Sequence, residues 1–147
     1  MGFKEDIIAA RQKPRRHADL NIDINGTRYK FRFRQMDGVA YSEETLRHPP
    51  DMEIGFDREY GYNLNSLTRA VAPLCGVRVE GDEEIPLQVD PIGQEDRVDE
   101  WADLFAIADG GAVQSIASTI FQLNEFATSK AVRAAKKVLD GSLGISP

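Results

Sequence analysis

A chain of 147 residues, 41% hydrophobic and 29% charged, is long enough for one domain with its own core and too short for two comfortable ones. No apolar run reaches the roughly 18–20 residues that span a bilayer, and the start Met1-Gly2-Phe3-Lys4-Glu5-Asp6 has neither a secretory apolar stretch nor the Ser or Thr that myristoylation wants at position 6. The expectation is a cytoplasmic protein without a membrane partner. The net charge of −6 is uneven: residues 1–34 carry nine Lys/Arg against four acids, residues 35–110 five against eighteen, and residues 111–147 four against two. So acidic a middle repels phosphate backbones and argues against a general nucleic-acid binder.

In chain order, Phe3, Ile7 and Ala10 form one stripe with Ile8 beside it, which predicts a helix over 3–13 that Pro14 stops. Residues 1–17 then read as an N-terminal helix and a basic linker, and 18–147 as a single domain. In that domain Leu20, Ile22 and Ile24 alternate with polar residues, Asn25-Gly26 follows, and Tyr29, Phe31 and Phe33 alternate with Lys30, Arg32 and Arg34. Period-two patterning on both sides of Asn-Gly predicts a β-hairpin over 19–34. Its apolar face must pack on something, because an isolated hairpin is marginal in water.

A mainly helical body of about five helices is expected over 39–140. It opens with a helix at 39–47, with Ser42 as its cap, ended by His48-Pro49-Pro50. Residues 51–62 read as loop. Asn63 or Asn65 caps a helix whose face is Leu64, Leu67, Thr68, Val71 and Leu74–Cys75. Val77–Val79 reads as a short extended piece, and Glu80–Gln94, acidic and with Pro86 and Pro91, as a mobile loop. Val98, Trp101, Ala102, Phe105 and Ala108 form the next stripe, ended by Asp109-Gly110-Gly111. Val113, Ile116, Ala117, Ile120, Phe121 and Asn124 form another, and Ala131, Ala134, Ala135 and Val138 a last one. The fold class is therefore α+β: an N-terminal β-hairpin followed by a mainly α-helical domain.

No pattern of residues demands a cofactor, a metal or a catalytic group. Asn21, Asp23, Asn25 and Gly26 mimic the start of a calcium loop, but Arg32 falls where such a loop needs a bidentate Glu. The single cysteine, Cys75, sits in an apolar context and reads as a core residue. His17 and His48 have no zinc-site spacing. The carboxylates Asp82-Glu83-Glu84 and Asp99-Glu100 read as solvated rather than as acid–base pairs. Lys30, Arg32 and Arg34 alternate with aromatic rings, which puts rings and cations on opposite faces, whereas single-stranded nucleic acid needs both on one.

The order of these segments resembles a known family. Phe31–Arg34 leads to Ala40-Tyr41-Ser42 through Leu46-Arg47-His48-Pro49-Pro50. Tyr60-Gly61-Tyr62-Asn63-Leu64-Asn65 then opens the apolar helix, and Asp99-Glu100-Trp101 through Asp109-Gly110-Gly111 leads to Phe121-Gln122-Leu123-Asn124. This arrangement, over roughly residues 28–125, resembles the tail assembly chaperones of long-tailed phages, particularly those of actinobacteria. The acidic insert at 80–94 and the Gly-Gly-Ala turn depart from the pattern.

The resemblance implies a non-catalytic protein that binds the tape-measure protein during tail morphogenesis, in the host cytoplasm and absent from the mature virion. It further implies a longer form, made by programmed frameshifting, that engages the tail tube protein; a homo-oligomer is also compatible with it. Trp101, Phe105 and Phe121 are the candidate partner-binding anchors, large aromatics being the usual ones; their alternative role is to hold the helices together. The rival functions are a structural head–tail or tail-terminator protein and, more distantly, a small hydrolase using clustered carboxylates.

Overall fold

The computed structural model describes residues 2–126, and the helix expected around 131–139 lies outside the described residues. In chain order the elements are α1 (Phe3–Gln12), β1 (His17–Ile24), β2 (Thr27–Arg34), α2 (Gly38–Arg47), α3 (Gly55–Tyr60), α4 (Leu64–Cys75), β3 (Gly76–Glu80), β4 (Glu83–Ile85), α5 (Glu100–Ile107) and α6 (Gly110–Phe121), closed by a π-helical turn at Gln122–Phe126. The class is α+β. The one sheet among the described residues is antiparallel, ordered β1-β2-β3-β4, so the N-terminal hairpin supplies half of it.

Asn25 and Gly26 make a two-residue turn with φ of 51° and 82°, the primed geometry that matches strand twist. The resulting register pairs Leu20 with Phe31 and Ile22 with Tyr29 on one face, and Asp19 with Arg32 on the other. The apolar face is the floor of the core. Phe31 and Phe33 meet the Trp101 ring at centroid distances of 6.2 and 6.1 Å, and Val71, Ala72, Ile116 and Ile120 complete the layer from α4 and α6.

The segment 80–94 differs from expectation. Gly81, at a φ of 62°, turns the chain, and Glu83–Ile85 returns as β4 against β3, with Val79 opposite Glu84. Beyond it, residues 88–100 close on themselves: Asp90 N donates to Val98 O and Glu100 N to Gln88 O, both at 2.8 Å. The acids here have partners distant in sequence. Glu84 takes the guanidinium of Arg34 and lies 3.6 Å from that of Arg32, while the Asp90 carboxylate accepts the Val98 N–H, which holds its pKa below the usual range.

Four smaller corrections concern helix ends. Asp37, not Ser42, caps α2 by accepting from Val39 N. The expected loop at 51–62 contains α3, which ends at Gly61 in the left-handed conformation. Gly110 and Gly111 begin α6 instead of ending α5, because the Asp109 carboxylate accepts from Ala112 N at 2.8 Å and starts a new helix. Leu74 is exposed, since α4 passes straight into β3 and its last turn leaves the core. Asn63 does cap α4, accepting from Ser66 N at 3.0 Å.

The α4–β3 joint has no spare residue. Cys75 ends the helix and Gly76 opens the strand, opposite Phe33. A Cβ on Gly76 would lie 2.7 Å from Phe33 Cε1 and 2.9 Å from the Ala72 carbonyl oxygen, so only glycine lets helix and strand close up here.

Candidate partner-binding site

The three aromatic anchors expected from the sequence occupy two places. Trp101, only 3% exposed, is packed on Phe31 and Phe33, with Phe105 beside it at 6.1 Å between ring centroids. Phe121 is elsewhere, edge-on to Tyr60 at 4.9 Å. Phe105 and Phe121 are half-buried, and Trp101 offers its rings to the core.

Exposed apolar side chains gather in a different stretch. Between Val39 and Phe56 the chain presents Val39, Leu46, Met52, Ile54 and Phe56 to solvent, Leu46 at 82% exposure. The backbone beneath them is held firmly. Asp57, 2% exposed, accepts from Asp51 N at 2.8 Å and from Leu64 N at 3.3 Å, bracing the loop before α3 and the first turn of α4 with one carboxylate. Asn63 N donates to His48 O, and the His48 ring meets Ser66 Oγ at 2.9 Å. Exposed apolar side chains on a backbone held by such hydrogen bonds lose less entropy on binding than ones on a free loop.

Beside Leu46 lies a cleft of about 440 Å³ between α2, the Tyr60–Tyr62 segment and the π-helical turn. On its floor the hydroxyls of Tyr41 and Tyr62 both donate to Glu125 Oε2, at 2.6 and 2.7 Å, and lie 3.3 Å from each other. Burial, reinforced by the adjacent carboxylate, pushes both phenols well above the ordinary tyrosine value. They stay protonated and are held as hydrogen-bond donors to the Glu125 carboxylate. Asn124 Oδ1 accepts Met36 N at 2.9 Å in the same region, so the π-helical turn is tied both to α2, through Tyr41, and to the segment just before it.

The opposite face of the sheet is a ladder of charge. Arg32 is bidentate to Asp19 at 2.8 and 3.1 Å, which lowers the Asp19 pKa and raises that of Arg32. Arg34 turns to Glu84. Aromatic rings and cations of β2 are on opposite faces, so the strand presents no stacking platform. The Asn25–Gly26 turn, where the calcium-like spacing fell, is a plain hairpin end. His17 opens β1 and His48 caps α2. Burial pushes the Cys75 thiol up to about 12, which keeps it protonated and unreactive.

Comparison with protein families, curated proteins and solved structures gave no match. Among the described residues no helix is long and apolar enough to cross a membrane, and no three His, Cys, Asp or Glu side chains gather as metal ligands would. Sequence reasoning read 51–62 as loop and so passed over this stretch, although Met52, Ile54 and Phe56 alternate with Glu53 and Gly55, and Val39 and Leu46 are seven residues apart. The available signal was the density of Leu46, Met52, Ile54 and Phe56 among prolines and acids.

Proposed function

We propose that this chain is a tail assembly chaperone of a long-tailed phage. It holds the tape-measure protein in the host cytoplasm during tail morphogenesis, catalyses nothing and is left out of the mature virion. The observation that supports this reading best is the exposed apolar run Val39, Leu46, Met52, Ile54 and Phe56 on a braced backbone, within the stretch that carries the family resemblance. A mostly helical client exposes apolar stripes before its tube forms, and each Å² covered is worth about 25 cal/mol before entropic costs. The acidic middle keeps such a complex soluble through mutual repulsion. In this reading a frameshifted longer form brings the complex to the tail tube protein.

The test is co-expression with the tape-measure protein encoded beside it. The client becomes soluble with the native chain, and the triple change Leu46→Asp, Ile54→Asp, Phe56→Asp lowers the soluble amount by about tenfold or more, a binding loss of about 1.4 kcal/mol. These side chains are exposed, so circular dichroism of the variant remains native. Mass spectrometry of purified particles separates this reading from the structural head–tail or tail-terminator alternative. Stoichiometric amounts of the chain in virions would overturn the proposal.

A further inference from the structure

Helix α1 has an apolar stripe that nothing covers among the described residues. Phe3 is 81% exposed, Ile7 and Ile8 are exposed as well, and no residue of the helix is buried among the described residues. Elsewhere, between the inner sheet face and α5, lies a groove of about 450 Å³ lined by Ile24, Tyr29, Ile85, Leu87 and Ile107, the last 65% exposed. From these two unsatisfied surfaces we infer that α1 of one molecule seats in the sheet–α5 groove of a second copy, joining the chains head to tail.

Charge assigns the occupant. At 3.6 residues per turn, Lys4 and Arg11 lie on one flank of the Phe3–Ile7–Ala10 stripe, in line with Ile8, and Asp6 lies on the other. The groove has the matching arrangement. Its α5 wall carries Asp103 and Glu100, the latter accepting from Gln88 N through one oxygen, and its sheet wall carries Arg78, which is paired with Glu80 at 3.2 Å. A stripe laid in it brings the two cations to the two acids and Asp6 to the arginine. Complementarity of this kind sets partner and register more than it adds affinity, which comes from burying Phe3, Ile7 and Ile8.

Reach keeps Ile8 of the chain's own helix short of the far end of the groove. The segment before β1 is fastened at Arg15, whose guanidinium donates to Met36 O, and at Arg16, whose carbonyl accepts from Gln35 N. Arg16 is ~26 Å along the strand from Ile24, whereas a fully extended linker plus one helical turn carries Ile8 only ~20 Å. A second copy has no such tether. Two different surfaces make the contact heterologous, so copies add one after another and form a ring where the rotation closes.

Sedimentation equilibrium of the full chain tests this without any client. The native protein associates with rising concentration. Ile8→Asp and Ile107→Asp, both at exposed positions, each weaken association by about tenfold or more while circular dichroism stays native. Arg11→Glu and Asp103→Arg are each weakened alone, and a mixture of the two associates more tightly than either, because the reversed helix meets the reversed groove. A native chain that stays monomeric, undiminished association of either Asp variant, or no recovery on mixing overturns the inference. The result is independent of whether the protein binds a tape measure.

Discussion

Helices α1 and α4 present similar stripes and have opposite fates. Phe3, Ile7 and Ile8 lie in water, while Leu64, Leu67 and Val71 are buried between the sheet and α6. The contrast comes from what lies at their ends. α4 is capped by Asn63, braced through Leu64 N by Asp57 and continued without a break into β3, so its orientation is fixed at both ends. α1 has no side-chain cap, and behind it Pro14 interrupts a short basic linker. An apolar stripe shows that a helix will be covered. The connections decide by what.

Several measurements break or sharpen that contrast. Leu67→Ala should lower stability by about 2–5 kcal/mol in urea or thermal unfolding, whereas Ile7→Ala in dilute solution should change it by no more than about 0.5 kcal/mol. A comparable loss from both would mean that α1 is also packed within the monomer. Replacing Gly76 with valine forces the α4–β3 joint apart and should cost about 3 kcal/mol, visible as a lowered melting temperature. Asp57→Ala leaves two backbone donors unpaired and should cost about 1–3 kcal/mol, loosening the start of α4.

The two remaining effects are smaller and depend on pH. Tyr41 and Tyr62 have raised pKa values in the fold, so their contribution is complete below the unfolded phenol range and is lost as pH rises above it. An ultraviolet titration should show these two of the four tyrosines ionising only as the protein unfolds in alkali. Asp19, lowered by Arg32, behaves in the reverse sense. Its contribution is present above the unfolded carboxylate range and lost as pH falls through the folded value, so Asp19→Asn should flatten the acid limb of the stability curve.

Where residues interact with near neighbours, the sequence was readable. Asn25-Gly26 announces its turn, Asn63 its helix, and the alternation of β2 its two faces. Val77–Val79 was read as extended and lies in β3, but β4 was not legible, because it is three residues long and rich in glutamate and becomes a strand only by pairing with β3 across the turn at Gly81. Asp109-Gly110-Gly111 carries signals for both a stop and a start, and only the carboxylate's bond to Ala112 N decides between them. The candidate surface was less legible still. Trp101 looks like an anchor by type, but Phe31 and Phe33 claim it, and the exposed residues at 39–56 are split between a helix and a stretch read as loop, so spacing alone did not show that they stay uncovered.

The direct passage from α4 to β3 also has an evolutionary corollary. Because alternate strand residues face opposite ways, one inserted residue at Gly76 would turn Arg78 outward and bring Val77 and Val79 inward, undoing the pairing with β2. Homologues should therefore keep the length of the Leu64–Glu80 segment constant and accommodate gain or loss of residues in the 91–97 loop, where no strand register is at stake.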